Sequence, residues 1–294
     1  MDVAEGVARA LREGRPVVAL ESTLVAHGLP HPDNLAAARR IEAAVREEGA
    51  EPATIAVVGG RPRIGLDEAA LERIARGEGV QKAGTRDLPL ALATGADAAT
   101  TVSATAHLAA RAGIRTFATG GLGGVHRGAR ETFDESADLV ALARTPVCVV
   151  CAGVKSLLDV GATLERLETL GVPVLAYGTD RFPGFLVRDS GHPAPARADD
   201  PATVAAAVRH AEALGLGTAT IVARPADEEL DPDLHDRVLE DALALADAQG
   251  VAGKAITPFL LSRLHGGTGG ASLAANVALV EGNARLAARI AAAL

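Results

Sequence analysis

Thr145-Pro-Val-Cys-Val-Val-Cys-Ala-Gly-Val-Lys155 is apolar almost throughout and closes on a cation. Its Val-rich centre lacks strict alternation, which reads as a strand buried on both faces, Val147–Cys151. Such a strand belongs inside a sheet covered by helices. Lys155 then falls just past the strand end, where a side chain is presented at the rim of the sheet. A period of two puts Cys148 and Cys151 on opposite faces. Their C-x-x-C spacing therefore reads as two structural cysteines. A zinc site would need two more ligands, and no second pair is present.

Working outward, the same signals alternate along the chain. Helical periodicity is read over residues 2–13, Asn34–Glu48, Asp67–Arg76 with an Asp cap, 104–112, Ser156–Leu170, 201–214, 232–249 and 271–293, the last as one helix or two. Strands are read at Val17–Leu20, Thr54–Val58, Thr116–Thr119, Val174–Tyr177 and 219–223. This alternation predicts an α/β protein with a mostly buried sheet. No repeat or low-complexity linker divides the chain, so residues 1–294 read as one large domain. The Pro/Asp-rich stretch His192–Pro201 reads as a long surface loop, with a lid as one role for it.

Composition narrows the function. At 294 residues and 48% hydrophobic, the chain can bury a large core. A net charge of -8 and an aromatic content of 2% argue against a nucleic-acid surface. No run is long and apolar enough to span a membrane, and Met-Asp-Val-Ala-Glu-Gly is not a signal peptide. Cytoplasmic residence is the expectation.

Only three of the 29 basic residues are lysine: Lys82, Lys155 and Lys254. A position kept as lysine is suspected of doing what arginine cannot, since a guanidinium forms no imine and a desolvated amine does. A compositional bias towards arginine accounts for the same count. Lys155 is the sharpest candidate. Glu21 ends the strand Val17–Leu20 and precedes a Gly/Pro loop. It reads either as an acid/base at the carboxyl end of a strand or as a solvated capping residue. Lys82 and Arg86 lie four apart in Lys82-Ala-Gly-Thr-Arg-Asp-Leu-Pro89, as phosphate ligands or as ordinary surface.

Ala118-Thr-Gly-Gly-Leu-Gly-Gly-Val-His-Arg-Gly128 carries five glycines after a strand. It matches neither a Walker A loop nor a dinucleotide fingerprint. It suits close backbone approach to a phosphate or sugar, or serves conformation alone. Asp134, Glu135 and Asp138 cluster around Ser136, as hard ligands for Mg²⁺ or Mn²⁺ or as acidic residues at a helix N-terminus. Gly266-Gly-Thr-Gly-Gly-Ala-Ser-Leu-Ala-Ala-Asn276 is a glycine turn leading into a helix, with Asn276 on its first turns.

Taken together and in this order, Ala-Leu-Glu-Ser-Thr, Lys-x-x-x-Arg-Asp-Leu-Pro, the glycine loop, Phe-Asp-x-Ser-Ala-Asp-Leu, Val-Cys-Ala-Gly-Val-Lys-Ser and Gly-Lys-x-x-Thr-Pro-Phe-Leu-Leu resemble the pseudouridine-5'-phosphate glycosidase, or indigoidine-synthase-A-like, family. The match runs over roughly residues 5–290. The resemblance implies a three-layer α/β/α core, a homotrimer and a divalent metal, usually Mn²⁺. It implies reversible cleavage of the C–C glycosidic bond of pseudouridine 5'-phosphate to uracil and ribose 5-phosphate. By the same resemblance Lys155 is the nucleophile and Glu21 the proton donor. Lys82, Val102, Ser136, Ala137 and Asp138 contact substrate, Asp134 binds metal, and His126 and Asn276 lie near the base or sugar. One departure is Val222-Ala-Arg-Pro-Ala-Asp227, where the family carries an Asn-Pro-Ile-Pro-like segment.

The chemistry needs such residues. A C–C glycosidic bond offers no leaving heteroatom to protonate, so paired carboxylates fit it poorly. An amine that opens the ribose and forms an iminium at C1' can expel the base carbon, and an acid must then supply that carbon with a proton. Two other readings share parts of this pattern: a Schiff-base lyase or aldolase on another phosphosugar, and a non-catalytic phosphosugar-binding protein. No mechanistic role falls to Lys254, for which an ion pair or a cap on carbonyls is expected.

Overall fold

The computed structural model describes residues 1–28, 30–251, 253 and 256–294. The expectation for Lys254 lies outside the described residues. Among them, eleven strands form one sheet: β1 (Asp2–Val3), β2 (Val17–Leu20), β3 (Glu51–Val58), β4 (Arg61–Ile64), β5 (Gln81–Ala83), β6 (Ala98–Thr100), β7 (Thr116–Ala118), β8 (Cys148–Cys151), β9 (Val174–Tyr177), β10 (Arg197–Ala198) and β11 (Thr220–Ala223). The order is β1-β4-β3-β2-β7-β8-β11-β9-β10, with β6 on β3 and β5 on β6. The run from β3 through β9 is parallel. Only β4 and β6 meet β3 antiparallel.

Both faces of the sheet are covered, so the structure is α/β in three layers. Val149 and Cys151 pack into one core with Phe117, Val102 and Leu167. Cys148 and Val150 pack into the other with Leu279, Val280 and Val204. The two cysteines thus point to opposite faces, fully buried, and burial pushes both thiols up to about 12. Helix Ala271–Ala293 is a single rod, and its alanines let it lie close against β7 and helix Asp33–Glu47.

Aspartate caps set several helix starts. Asp67 accepts from Ala70 N at 2.8 Å, Asp159 from Ala162 N at 2.9 Å and Asp200 from Thr203 N at 2.8 Å, each contributing about 1 kcal/mol. The Asp159 cap moves one boundary. The helix expected at Ser156–Leu170 runs from Val160 to Thr169, which leaves Ser156 in the loop before it. The segment read as helix 2–13 begins as β1 and turns helical at Glu5. The helix expected over 104–112 starts at Val102.

The stretch expected as a lid does not cover the cleft. Its Arg197 and Ala198 form β10 on β9 at the edge of the sheet, and none of residues 192–201 reaches the large cavity described next. β4, β5, β6 and helix Ile256–Gly267 had no counterpart in the sequence reading.

Candidate active site

β2, β7 and β8 are neighbours, paired Leu20↔Ala118 and Ala118↔Val150. All three run the same way, so the residues that follow them emerge on one rim. From β2 comes Glu21, from β7 Thr119 and the glycine loop, and from β8 the segment ending at Lys155. This is where parallel α/β sheets place ligands. A cavity of about 460 Å³ opens at that rim. Glu21, Lys82, Val102, His126, Asp134, Ser136, Ala137, Asp138, Lys155 and Asn276 all line it.

Glu21 is half-buried and receives two hydroxyls: Thr23 donates to Oε2 and Thr119 to Oε1. Thr119 is itself fixed, because Asn283 Nδ2, fully buried, donates to its carbonyl at 2.9 Å. Two residues on, the ladder between the strands continues past their ends. Ala152 N donates to Gly120 O at 2.8 Å, Leu122 N to Gly153 O at 2.9 Å and Lys155 N to Leu122 O at 3.1 Å. Lys155, half-buried, lays its stem over Gly121. A Cβ at Gly121 would stand 3.2 Å from Lys155 Cγ and 2.7 Å from Phe185 Cδ2. Glu21 and Lys155 therefore flank the segment Thr119–Gly121. Their parent strands lie two ladder steps apart, on the order of 10 Å between backbones, enough to seat a sugar between acid and amine.

Phe185 closes the floor beneath the lysine stem. It is 2% exposed and adopts a left-handed backbone, φ 68, pinned by Phe185 N donating to Ala152 O at 2.9 Å. A bulky residue in that region is strained and is held there by its surroundings.

A second wall is cationic. Lys82 on β5, Arg86 and the N-terminus of helix Val102–Arg111 face the cavity together. The helix start and two cations give this wall positive potential of the kind that suits a phosphate, partly offset by Asp87 beside Arg86 at 3.8 Å and by Asp138 at the helix start. His27 and His126 lie near this charge. Partial burial pushes the pKa of His27 down, and Lys82 adds to the effect against a backbone hydrogen bond to Gln81. Partial burial also lowers that of His126, with Asp134 opposing and Lys82 assisting. In both, burial favours the neutral ring.

Asp138 is a brace. Its Oδ1 accepts from Ser103 N at 2.9 Å and its Oδ2 from Gly123 N at 3.0 Å. The carboxylate thereby ties the anion-binding helix to the glycine loop. Ser136 caps the helix Ala137–Leu142, accepting from Asp138 N at 3.2 Å. A side chain at Gly123 would collide with both Ser136 and Asp138, so glycine is required there for packing.

Among the described residues, oxygen donors for a divalent metal are sparse at this rim. Asp134 faces the cavity and its carbonyl accepts from His126 N at 3.0 Å. Glu135 is engaged by Arg166 Nε at 3.0 Å. Among the described residues no three His, Cys, Asp or Glu side chains gather into a cage. One carboxylate beside open cavity fits a Mg²⁺- or Mn²⁺-like ion that keeps most of its water. It does not fit a dehydrated protein-built site.

Several lining residues escaped the sequence reading. Thr119 had a usable signal, since it ends a strand beside Glu21's strand. Thr23 ends the run Ala-Leu-Glu-Ser-Thr and His27 lies four residues beyond it, but nothing there marks a side chain as facing inward. Phe185 lies on a loop with no motif. Arg224, in the departing segment, does not line the cavity; it pairs with Asp227.

Comparison with known proteins gives a consistent result. Residues 6–293 match the family model described as "Indigoidine synthase A like protein". The chain is 59% identical over 290 residues to a pseudouridine-5'-phosphate glycosidase of Salinispora tropica, covering 98% of this chain and 90% of that protein. It is 61% identical over 291 residues to one of Streptomyces griseus, with coverages of 98% and 90%. Among solved structures, the prealnumycin C-glycosynthase AlnA in complex with ribulose 5-phosphate superposes with a TM-score of 0.92 at 40% identity, over 100% of this chain and 96% of that one. An indigoidine synthase A-like protein of Thermotoga maritima gives a TM-score of 0.88 at 39% identity, covering 95% and 93%.

Proposed function

From the premise that this chain belongs to the indigoidine synthase A like family, we propose that it cleaves its substrate through a ring-opened imine on Lys155. It is a C-glycosidase, and the bond it breaks is the C–C glycosidic bond of pseudouridine 5'-phosphate, giving uracil and ribose 5-phosphate. The observation that carries the mechanism is the pair of reactive groups flanking Thr119–Gly121, with Glu21 on one side and the Lys155 stem on the other.

The phosphate is taken by Lys82, Arg86 and the start of helix Val102–Arg111, which orients the ribose along the cavity. Lys155 Nζ, as the free amine, bonds to C1' while the C1'–O4' bond opens and O4' takes up a proton. The nitrogen lone pair then forms C1'=N, and the electron pair of the breaking C–C bond leaves with the base. Glu21 delivers a proton to that base carbon, and uracil departs. Water adds to the imine, ribose 5-phosphate is released and the amine is restored. Thr23 and Thr119 hold the Glu21 carboxyl in place for the transfer. Asn276 and His126 offer polar contacts to base and sugar.

A divalent cation such as Mn²⁺ is proposed at Asp134, where it would supply positive charge to orient substrate and water. The working form is proposed to be a cytoplasmic homotrimer, a state that light scattering on the purified chain checks. Among the described residues no helix is long and apolar enough to cross a membrane.

Borohydride added with ribose 5-phosphate is expected to leave a covalent mass gain on Lys155. Lys155→Ala is expected to abolish uracil release with the fold intact. Absence of the adduct, or turnover by Lys155→Ala, would remove the imine. Uracil release from pseudouridine 5'-phosphate separates this reading from a lyase acting on another phosphosugar.

A further inference from the structure

The residue after Lys155 is tied to a buried histidine that the mechanism above does not use. Ser156 Oγ lies 2.7 Å from His235 Nε2, and His235 Nδ1 lies 2.9 Å from Asp236 Oδ1. His235 is 2% exposed, on helix Pro232–Ala248, while the Asp236 side chain is 74% exposed. A Ser–His–Asp row of this kind resembles a hydrolytic triad. Here the serine is 9% exposed and does not line the cavity, so no substrate carbonyl can reach it. The row is turned towards the protein.

Its position gives it another use. Ser156 opens the loop between β8 and helix Val160–Thr169. The backbone of that loop is held by Lys155 N donating to Leu122 O at 3.1 Å, Leu158 N to Lys155 O at 2.9 Å and Asp159 N to Val125 O at 2.9 Å, and Arg127 Nη2 reaches Ser156 O at 3.3 Å; Ser156 supplies the side-chain anchor next to the lysine. The Ser156 hydrogen bond holds the chain one residue beyond the reactive amine. With Nδ1–H donated to Asp236, His235 Nε2 is an acceptor and the serine hydroxyl donates to it. The bond is buried, so its loss strands a polar group with no water to replace the partner.

We propose that the Ser156–His235 hydrogen bond, with Asp236 fixing the ring tautomer, positions Lys155 for attack. Ser156 and His235 are positioning residues that act through the aim of the amine. This rests on the reading of Lys155 as the nucleophile. A misplacement of the order of 1 Å at a reacting group is sufficient to cost about a hundredfold in rate. The relay links the solvent face of helix Pro232–Ala248 to the residue that follows Lys155 through two side chains.

The test measures kcat, KM and the rate of borohydride-trapped adduct formation for Ser156→Ala, His235→Leu, His235→Gln and the double variant Ser156→Ala/His235→Leu. The expected result for each of the first two is a kcat lower by about tenfold or more, with KM within about twofold of the unaltered enzyme and trapping slowed in proportion to kcat. His235→Gln, which keeps an acceptor for Ser156, is expected to recover most of the rate. The double variant should be no slower than the worse single one, because both remove the same bond. Unchanged kcat and trapping in Ser156→Ala would overturn the proposal. So would losses that multiply in the double variant, or losses explained by a smaller folded fraction. If His235→Leu fails to fold, Ser156→Ala, a loss of one oxygen, decides the matter alone. Turnover by Lys155→Ala would instead refute the nucleophile, which separates the two failures.

Discussion

Replacing Gly121 by alanine tests the geometry that joins acid to amine. The added Cβ would lie 2.7 Å and 3.0 Å from two ring carbons of Phe185 and 3.2 Å from Lys155 Cγ. Carbon atoms rest at about 3.5 Å or more, so the ring must retreat by about 0.8 Å and the lysine stem by about 0.3 Å. Phe185 has little room to move, being fully packed, left-handed at φ 68 and hydrogen-bonded to Ala152 O. Overpacking of this kind costs about 1–3 kcal/mol. For a chain of this size that corresponds to a Tm lower by roughly 2–4 °C per kcal/mol. The amine lies three bonds beyond Cγ, so a tilt there is carried to Nζ, and kcat should fall about 10–100-fold. Uracil release followed by absorbance, with calorimetry alongside, measures both quantities. Gly266→Ala is the control: it sits in helix Ile256–Gly267, its Cβ would meet nothing within 4 Å, and alanine there should raise stability by about 0.5–1 kcal/mol with unchanged kcat. Full activity in Gly121→Ala, with Lys155→Ala inactive, would refute the claim that this contact aims the lysine.

The remaining expectations are briefer. Asp134→Asn should raise the Mn²⁺ concentration needed for half-maximal rate at least tenfold, and chelation should silence the unaltered enzyme until the ion is returned; indifference to both would end the metal proposal. His27 has its pKa lowered by folding, so the unfolded chain binds its proton first as pH falls; its stability contribution is complete above about 6.5 and is lost progressively below that. His27→Gln should flatten that part of a Tm-versus-pH curve. Cys148 and Cys151, at about 12, should resist a thiol reagent at pH 8 until denaturant is added. Asn283→Leu should cost about 1–3 kcal/mol by leaving the Thr119 carbonyl without its buried donor, and should lower kcat by loosening Glu21.

Much of the molecule was legible because its central strands are Val-rich and several of its helices start on aspartates. Cys148–Cys151 could be placed on two faces from alternation alone, and the rim position of Lys155 followed. β4 (Arg61–Ile64) and β5 (Gln81–Ala83) were not legible. They are short and charged, β4 with a proline as well, and lie away from the doubly buried centre, where no apolar run marks a strand. Helix Ile256–Gly267 was obscured by Thr257-Pro258 near its start, which reads as a turn. Within the site, every residue named from the sequence lines the cavity, yet the division of labour is only partly visible there. Asp138 looked like a ligand from its acidic neighbours, whereas its oxygens are occupied by Ser103 N and Gly123 N. Phe185 could not have been found, since its importance comes from a contact across 64 residues with a glycine that has no side chain.

The acid and the amine follow β2 and β8, the outer two of three neighbouring strands of a stiff ladder, whereas another part of the cavity wall comes from residues 24–28, 256–267 and 271–293. Exchanging those peripheral pieces would reshape the cavity and leave in place the ladder that carries acid and amine, an arrangement that invites diversification by swapping walls around a fixed hearth.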